Sequence, residues 1–424
     1  MGRQPAYASG DSASRRACRS RFVTQRRPPR DDLPGLASAT RLAQAGRAHA
    51  HDMVNPAVAR ASTILFADLA DLDRAIADPD AGLYYGRRGT QTHWALEDAL
   101  TALEPGAAGT KLLPSGVAAI TTSLLACLKA GDELLVTDSA YEPSRSFADR
   151  LLAQLGITTR YFDPACGAGI ADVISEQTRA ILLESPGSLS FEIMDVPAIA
   201  AVARARGITT IIDNTWATPL RLQPLAMGVD ITIQALTKYV GGHSDVMMGS
   251  ATAVPALWPQ LKATAYRLGH HVSADDCALV LRGLRTLGVR LDRHEASALR
   301  IARWLEGHPA VDRVWHPALP SHPQHHLFVR DFSGATGLFA IVLKQGSRPH
   351  TAALIDGLAH FGIGFSWGGY ESLVLPVELD RIRSATQMAL PGPIVRLSIG
   401  LEDPDDLIAD LDAGLARYMA QFGG

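Results

Sequence analysis

The chain has 424 residues, 47% hydrophobic and 20% charged, an ordinary composition for a soluble protein with room for two full cores. Of its 40 basic and 43 acidic residues, eight Arg and one Asp fall within residues 1–30, leaving 32 and 42, a net −10, for the rest; this charge excludes a nucleic-acid-binding body. No apolar run approaches the roughly 18 residues of a membrane-spanning helix, the amino terminus lacks a secretory apolar core, and Cys18, Cys127, Cys166 and Cys277 show neither zinc nor disulfide spacing, so a cytoplasmic protein with reduced thiols is expected.

Residues 1–35, which contain RRACRSRFVTQRRPPRDD, read as a disordered Arg-rich tail. Residues 36–83 read as an N-terminal arm with one short helix at 67–77. From about residue 90 to 250, strand-like runs alternate with helical stretches: KLLP before GVAAITTSLLACLKA, DELLVTD before PSRSFADRLLAQLG, AILLES before VPAIAAVARARG, then TTIID and ITIQALT. This alternation predicts an α/β fold with a mostly parallel sheet covered by helices on both faces, and ligands beyond the carboxyl ends of its strands. Ser273 with Asp275 and Asp276 marks a helix start, and one long amphipathic stretch runs on to Gly307. Residues 84–283 are assigned to this larger domain. Residues 284–424 are assigned to a smaller C-terminal α/β domain, with strands in GLFAIVLK and IVRLSIG and a last helix in DPDDLIADLDAGLARYMAQF.

Three strand ends carry the chemistry. Lys238 follows the apolar run at 229–233 and precedes two glycines; Asp213 ends another buried strand, in IIDNTW; and Ser115-Gly116 opens a helix, where free N–H groups and the positive end of the dipole suit a phosphate. In a parallel sheet all three meet at one edge. Pyridoxal 5'-phosphate requires an amine to hold its aldehyde, a carboxylate to keep its ring nitrogen protonated and an anion site for its phosphate. Arg396 lies within the apolar strand of IVRLSIG, where an unpaired guanidinium is expensive and a substrate carboxylate would satisfy it.

These segments, with YGRRGTQTH, AYEPS, ITIQALTKYVGGHSD, GLRTLGVRL, SWGGYESLV and IVRLSIGLED, resemble the Cys/Met-metabolism family of pyridoxal-phosphate enzymes from about residue 40 to the carboxyl terminus, most of all its bacterial cystathionine β-lyase branch. The resemblance implies the aspartate-aminotransferase-like transferase fold, fold type I. It casts Lys238 as the lysine that binds the cofactor and moves protons, Asp213 as partner of the ring nitrogen, and Tyr141 as the tyrosine stacked on the ring. Gly116, Val117 and Thr237 would bind the phosphate, and Tyr85 and Arg87 would reach the phosphate of a neighbouring subunit. Such a site is complete only in a homo-oligomer, with a tetramer expected. Arg396 would bind the substrate carboxylate, helped by Ser366 and Trp367. The implied reaction is β-elimination from L-cystathionine to homocysteine, pyruvate and ammonia, within trans-sulfuration and methionine biosynthesis, with L-cysteine and L-cystine as weaker substrates. The rivals are γ-synthase or γ-lyase chemistry on the same cofactor, and a non-catalytic protein that keeps the fold.

Three positions depart from the common pattern: Ser188 where Asn is frequent, Ala235 where Ser is frequent, and Phe365 where γ-acting relatives carry Glu and β-lyases often Tyr. His316, His322, His325 and His326 of HPALPSHPQHH are read as a solvated, proline-broken loop without metal, and His243 as a hydrogen-bonded structural residue beside the site.

Overall fold

The computed structural model describes residues 36–50, 52–379 and 382–422. The Arg-rich tail lies outside the described residues. Seven strands form the larger sheet: β1 (Gly109–Leu113), β2 (Glu133–Thr137), β3 (Thr158–Phe162), β4 (Thr178–Glu184), β5 (Thr209–Asp213), β6 (Ile231–Ala235) and β7 (Gly249–Ala253), in the order β1-β7-β6-β5-β4-β2-β3. Only the pairings of β7 with β1 and β6 are antiparallel. The expected mostly parallel sheet is therefore present. The apolar runs alternate between its faces, as a strand buried on both sides must. Leu134, Val136, Leu182, Ile211 and Ile233 pack beneath the helix Gly116–Cys127, while Leu135, Ile181, Leu183 and Ile212 pack against the helix Val196–Ala205.

The stretch expected as one long helix is two. Ala274–Arg285, capped by Ser273, ends at Thr286, and Leu287–Glu306 follows at once as a second helix. The second helix leads to a five-stranded sheet of β8 (Val311–Trp315), β9 (Leu338–Leu343), β10 (Gly362–Ile363), β11 (Leu373–Val377) and β12 (Ile394–Ser398), ordered β10-β11-β12-β9-β8. One face of it, with Phe339, Ile341, Val395 and Leu397, packs on Leu287–Glu306 and on the last helix, Pro404–Met419. The other face, with Leu338, Ala340, Val342 and Ile394, shares a core with the larger unit. Side chains alternate along β12, so Arg396 stands on the same face as Ile394, toward the larger unit.

The histidine loop corrects the sequence reading. His316 is fully buried against Phe339 and His322 is 4% exposed. His326 stays exposed and His325 half-buried, but His316 Nδ1 accepts from Ala318 N and His322 Nδ1 from Gln324 N, so the loop is solvated only in part and two of its histidines turn inward. Burial pushes these imidazoles down to about 3 and about 4. Among the described residues no helix is long and apolar enough to cross a membrane.

Candidate active site

Five strand ends of the larger sheet converge on one edge. β1 feeds the turn to Ser115, the N-cap of Gly116–Cys127, whose hydroxyl accepts from Ala118 N while Ala119 N bonds to its carbonyl. The first two helical amides, Gly116 and Val117, have no such partner among the described residues, so they and the dipole present positive charge to the edge. A Cβ on Gly116 would lie 2.7 Å from that of Ala235, so the helix start lies tight against the end of β6. Ala235 fits that contact by being small.

β6 turns through Thr237 to Lys238. The Thr237 hydroxyl bridges both the amide and the carbonyl of Met248, at 3.0 and 3.2 Å. Lys238 Nζ donates to Ser366 Oγ at 2.8 Å and stands 5.2 Å from the Trp367 ring centre. Burial, then nearby Arg396, pushes its ammonium down to about 8 against the pull of Asp213. Asp213, last residue of β5, accepts from Thr215 N at 2.9 Å. Burial raises its proton affinity, and among the described residues no ion pair neutralises it.

Tyr141 follows β2 and is 42% exposed. Its amide donates to Glu184 Oε2 at 2.7 Å, and burial, with Glu184 and Asp213 adding, raises its phenol. Glu184 ends β4 and pairs in register with Asp213. Burial, then Asp213, lifts its carboxyl well above the usual range. Sequence reasoning passed over Glu184, although it ends AILLE as Asp213 ends TTIID.

Arg396 reaches the edge from the smaller sheet, donating from Nη2 to the carbonyls of Ser366 at 3.0 Å and Gly364 at 3.3 Å. Its Nε is buried without a partner, and burial pushes the guanidinium down to about 10. Ser366 holds φ +83°, in the left-handed region, which turns its carbonyl to Arg396 and its hydroxyl to Lys238. Trp367 walls the site, its ring 5.4 Å from that of Tyr239. Phe365 beside it points outward, 91% exposed.

Lys238, Asp213, Tyr141, Gly116, Val117, Thr237, Arg396, Ser366 and Trp367 thus share one edge. Tyr85 and Arg87 do not join them. Both are exposed, Arg87 Nη1 donates to Tyr266 O at 2.8 Å, and their turn is pinned to the arm through Gly86 N and Ser62 O. No hydrogen bond or ion pair links either to Lys238, Asp213 or Arg396 among the described residues. Ser188 is tied by its amide to Ser139 O, and His243 Nδ1 lies 2.8 Å from Gly241 O.

The residues fit pyridoxal phosphate by three independent features: free helix-start amides for an anion, a buried carboxylate lacking a cation, and a desolvated amine on the same edge. The mostly parallel sheet and this edge define a pyridoxal-phosphate enzyme of fold type I. The chain belongs to the Cys/Met metabolism PLP-dependent enzyme family, whose pattern matches residues 39–416. It is 46% identical to cystathionine beta-lyase MetC of Escherichia coli (strain K12) over 90% of this chain and 98% of that one. It is also 40% identical to an L-alanine/L-glutamate racemase of Wolbachia pipientis wMel, over 86% of this chain and 93% of that one. Among solved structures, cystathionine gamma synthase from Xanthomonas oryzae pv. oryzae, crystallised with cystathionine, superposes with a TM-score of 0.82 at 32% identity, covering 91% of this chain and 99% of its own.

Proposed function

We propose that the chain is a carbon–sulfur β-lyase that converts L-cystathionine and water to homocysteine, pyruvate and ammonia in trans-sulfuration, with L-cysteine and L-cystine as lesser substrates. The observation that carries this reading is the placement of Lys238, a desolvated amine between Asp213 and Arg396 with Ser366 Oγ as its resting partner. The bound cofactor supplies an electron sink for the pair left when the Cα proton departs.

The rest of the work falls to the chain's own residues. Gly116, Val117 and Thr237 would hold the phosphate, Asp213 would keep the ring nitrogen protonated, and Tyr141 would lie against the ring. Arg396 binds the substrate carboxylate through its unpartnered Nε and the Nη2 hydrogen released from Gly364 O, a two-pronged contact that fixes Cα. Lys238 Nζ, once free of the cofactor, takes the Cα proton and returns a proton to the departing sulfur, with the Tyr141 hydroxyl alongside. An amine brought down to about 8 gives up its proton near physiological pH far more readily than an ordinary lysine, as a base requires. Tyr85 and Arg87 serve the phosphate of a neighbouring subunit, which makes the enzyme a homo-oligomer, a tetramer of paired dimers, acting in the cytoplasm on a small molecule.

Incubation with L-cystathionine tests the reading. Pyruvate and homocysteine are the expected products. 2-Oxobutyrate would assign a γ-lyase, cystathionine formed from cysteine and an activated homoserine a γ-synthase, and D-alanine or D-glutamate formed from the L-forms a racemase. Lys238→Ala should abolish pyruvate release; retained turnover would take the lysine out of this role.

A further inference from the structure

The turn that carries Lys238 is held by a residue that stands outside the edge where the chemistry gathers. Within the turn, Lys238 N bonds to Ala235 O, Gly241 N to Leu236 O and Gly242 N to Lys238 O. The carbonyls of Tyr239 and Val240 receive no amide among the described residues. Arg290 supplies them instead, Nη1 donating to Tyr239 O at 2.6 Å and Nη2 to Val240 O at 3.2 Å. Nη2 also donates to Gly283 O at 2.8 Å, and Nε to Thr286 Oγ1 at 3.1 Å.

Two glycines make room for this arrangement. A Cβ on Gly283 would stand 2.3 Å from Gly241 O, so only a bare backbone lets the helix Ala274–Arg285 lie on the turn. A Cβ on Gly242 would stand 2.0 Å from Arg290 Nη1, and Gly242 also holds φ +70°. The segment GLRTLGVRL therefore contains both the glycine that allows approach and the arginine that makes the contact. Arg290 is 7% exposed, and among the described residues no carboxylate pairs with it. A guanidinium buried against carbonyls and one hydroxyl, with no carboxylate, carries a desolvation cost that an apolar side chain would avoid.

We propose that Arg290 is a positioning residue for Lys238: by fixing the Tyr239 and Val240 carbonyls it immobilises the turn, so that Nζ travels only through the torsions of the lysine side chain. With its Cα held, Nζ swings on one arc from the cofactor-bound position to the substrate Cα proton and then to the sulfur. A turn free to shift would spread that arc over many positions, and misplacement of a reacting atom by about 1 Å costs about 100-fold in rate. This inference rests on the role given to Lys238 above.

The test uses the holoenzyme with Arg290→Met, Arg290→Lys and Gly242→Ala. Arg290→Met should lower kcat about 100-fold with KM changed less than about threefold, and weaken pyridoxal phosphate binding, read by absorbance titration, about tenfold. Arg290→Lys, which still offers donors to both carbonyls, should recover about tenfold of the lost kcat. Gly242→Ala pushes the guanidinium away without removing it. It should reproduce the Arg290→Met loss, and the double variant should be little worse than either single one. Unchanged kcat and cofactor affinity with only a lowered melting temperature would overturn the proposal, as would losses that multiply in the double variant. Should Arg290→Met fail to fold, Arg290→Lys and Gly242→Ala still decide. Borohydride reduction of the unmodified holoenzyme and peptide mapping separates this inference from the reading beneath it. Cofactor fixed on another residue sinks the assignment of Lys238 itself, whereas cofactor on Lys238 with unaffected variants sinks the role of Arg290 alone.

Discussion

Arg396 and Glu104 are both buried without an ion pair among the described residues, yet they invite different experiments. Arg396 keeps a planar fork turned to the site with Nε unused. An ammonium cannot reproduce a two-pronged contact, so Arg396→Lys should raise KM for L-cystathionine by about 10–100-fold and lower kcat less; steady-state kinetics with KM unmoved would count against the carboxylate contact. Glu104 lies away from the chemistry, accepting from Thr232 Oγ1 at 3.0 Å while its other oxygen has no partner. Burial pushes its carboxyl up to about 8. The unfolded chain releases that proton near the ordinary glutamate value, whereas the fold holds it until about 8. The stability this group contributes is whole below its ordinary pKa and is lost as pH rises through about 8, at up to about 1.4 kcal/mol per pH unit within the window. Glu104→Gln retains an acceptor for Thr232 and abolishes the titration. Denaturant midpoints measured from about pH 5 to 9 should show the variant gaining on the parent as pH rises; parallel curves would refute the assignment. At this scale Lys238, Asp213 and Gly116 were legible because each ends an apolar run. Glu184 obeys the same rule, but its significance depends on β4 lying beside β5, and sheet order is not written in local sequence. Arg290 was still less legible, since the two turn carbonyls it holds lie about fifty residues away and only the tertiary fold brings them to it.

Among elements, β2, β4, β5 and β6 announce themselves by branched and leucine-rich runs buried on both faces. β7, GSATA, is fully buried yet offers no apolar signal, because small residues let β1 and β6 close on either side of it. β3, TTRYF, is an edge strand with alternating exposure and hides among polar residues. The break at Thr286 escaped notice because amphipathic periodicity continues across it. One segment of the C-terminal part is tied to the larger unit by the Arg383–Glu192 ion pair, by Arg145 donating to Ser384 Oγ at 2.8 Å, and above all by one carboxylate. Asp138, just beyond β2 and three residues before Tyr141, accepts from the amides of Ser384 at 2.9 Å, Ala385 at 3.1 Å and Thr386 at 2.7 Å, and from Arg145 Nη1 at 3.0 Å. Burial alone would raise this carboxyl, but the bonds from Ser384, Thr386 and Ala385 prevail and hold it down to about 2. Asp138→Asn swaps an acceptor oxygen for a donor facing these amides and should cost about 2–4 kcal/mol. It should also open residues 382–386 to protease; an unchanged denaturant midpoint would show that this carboxylate's tie is incidental.

For the whole molecule, the arm is the part that the single chain leaves unfinished. The helix Leu69–Ala77 has no buried residue, and Met53, Val54, Leu65, Leu69 and Ile76 are exposed along the arm. Apolar surface of this extent beside the turn of Tyr85 and Arg87 accords with a second copy of the chain as its cover. If Arg87 serves a neighbour's phosphate, co-refolding Lys238→Ala chains with Arg87→Ala chains creates mixed dimers with one intact site. Up to about a quarter of parental activity should return from two crippled parents; no recovery at any mixing ratio would place Arg87 in its own chain's service. The ownership of Arg396 and Lys238 has a further consequence. One belongs to β12 of the smaller sheet and the other to the turn after β6 of the larger. If Arg396 grips the carboxylate of an amino acid while the larger unit holds its nitrogen, two directions remain at Cα, one for the hydrogen and one for the side chain. In one mirror form the hydrogen then faces Nζ and in the other it faces away, so handedness would be read by where Lys238 stands between the two sheets, without a dedicated chiral pocket.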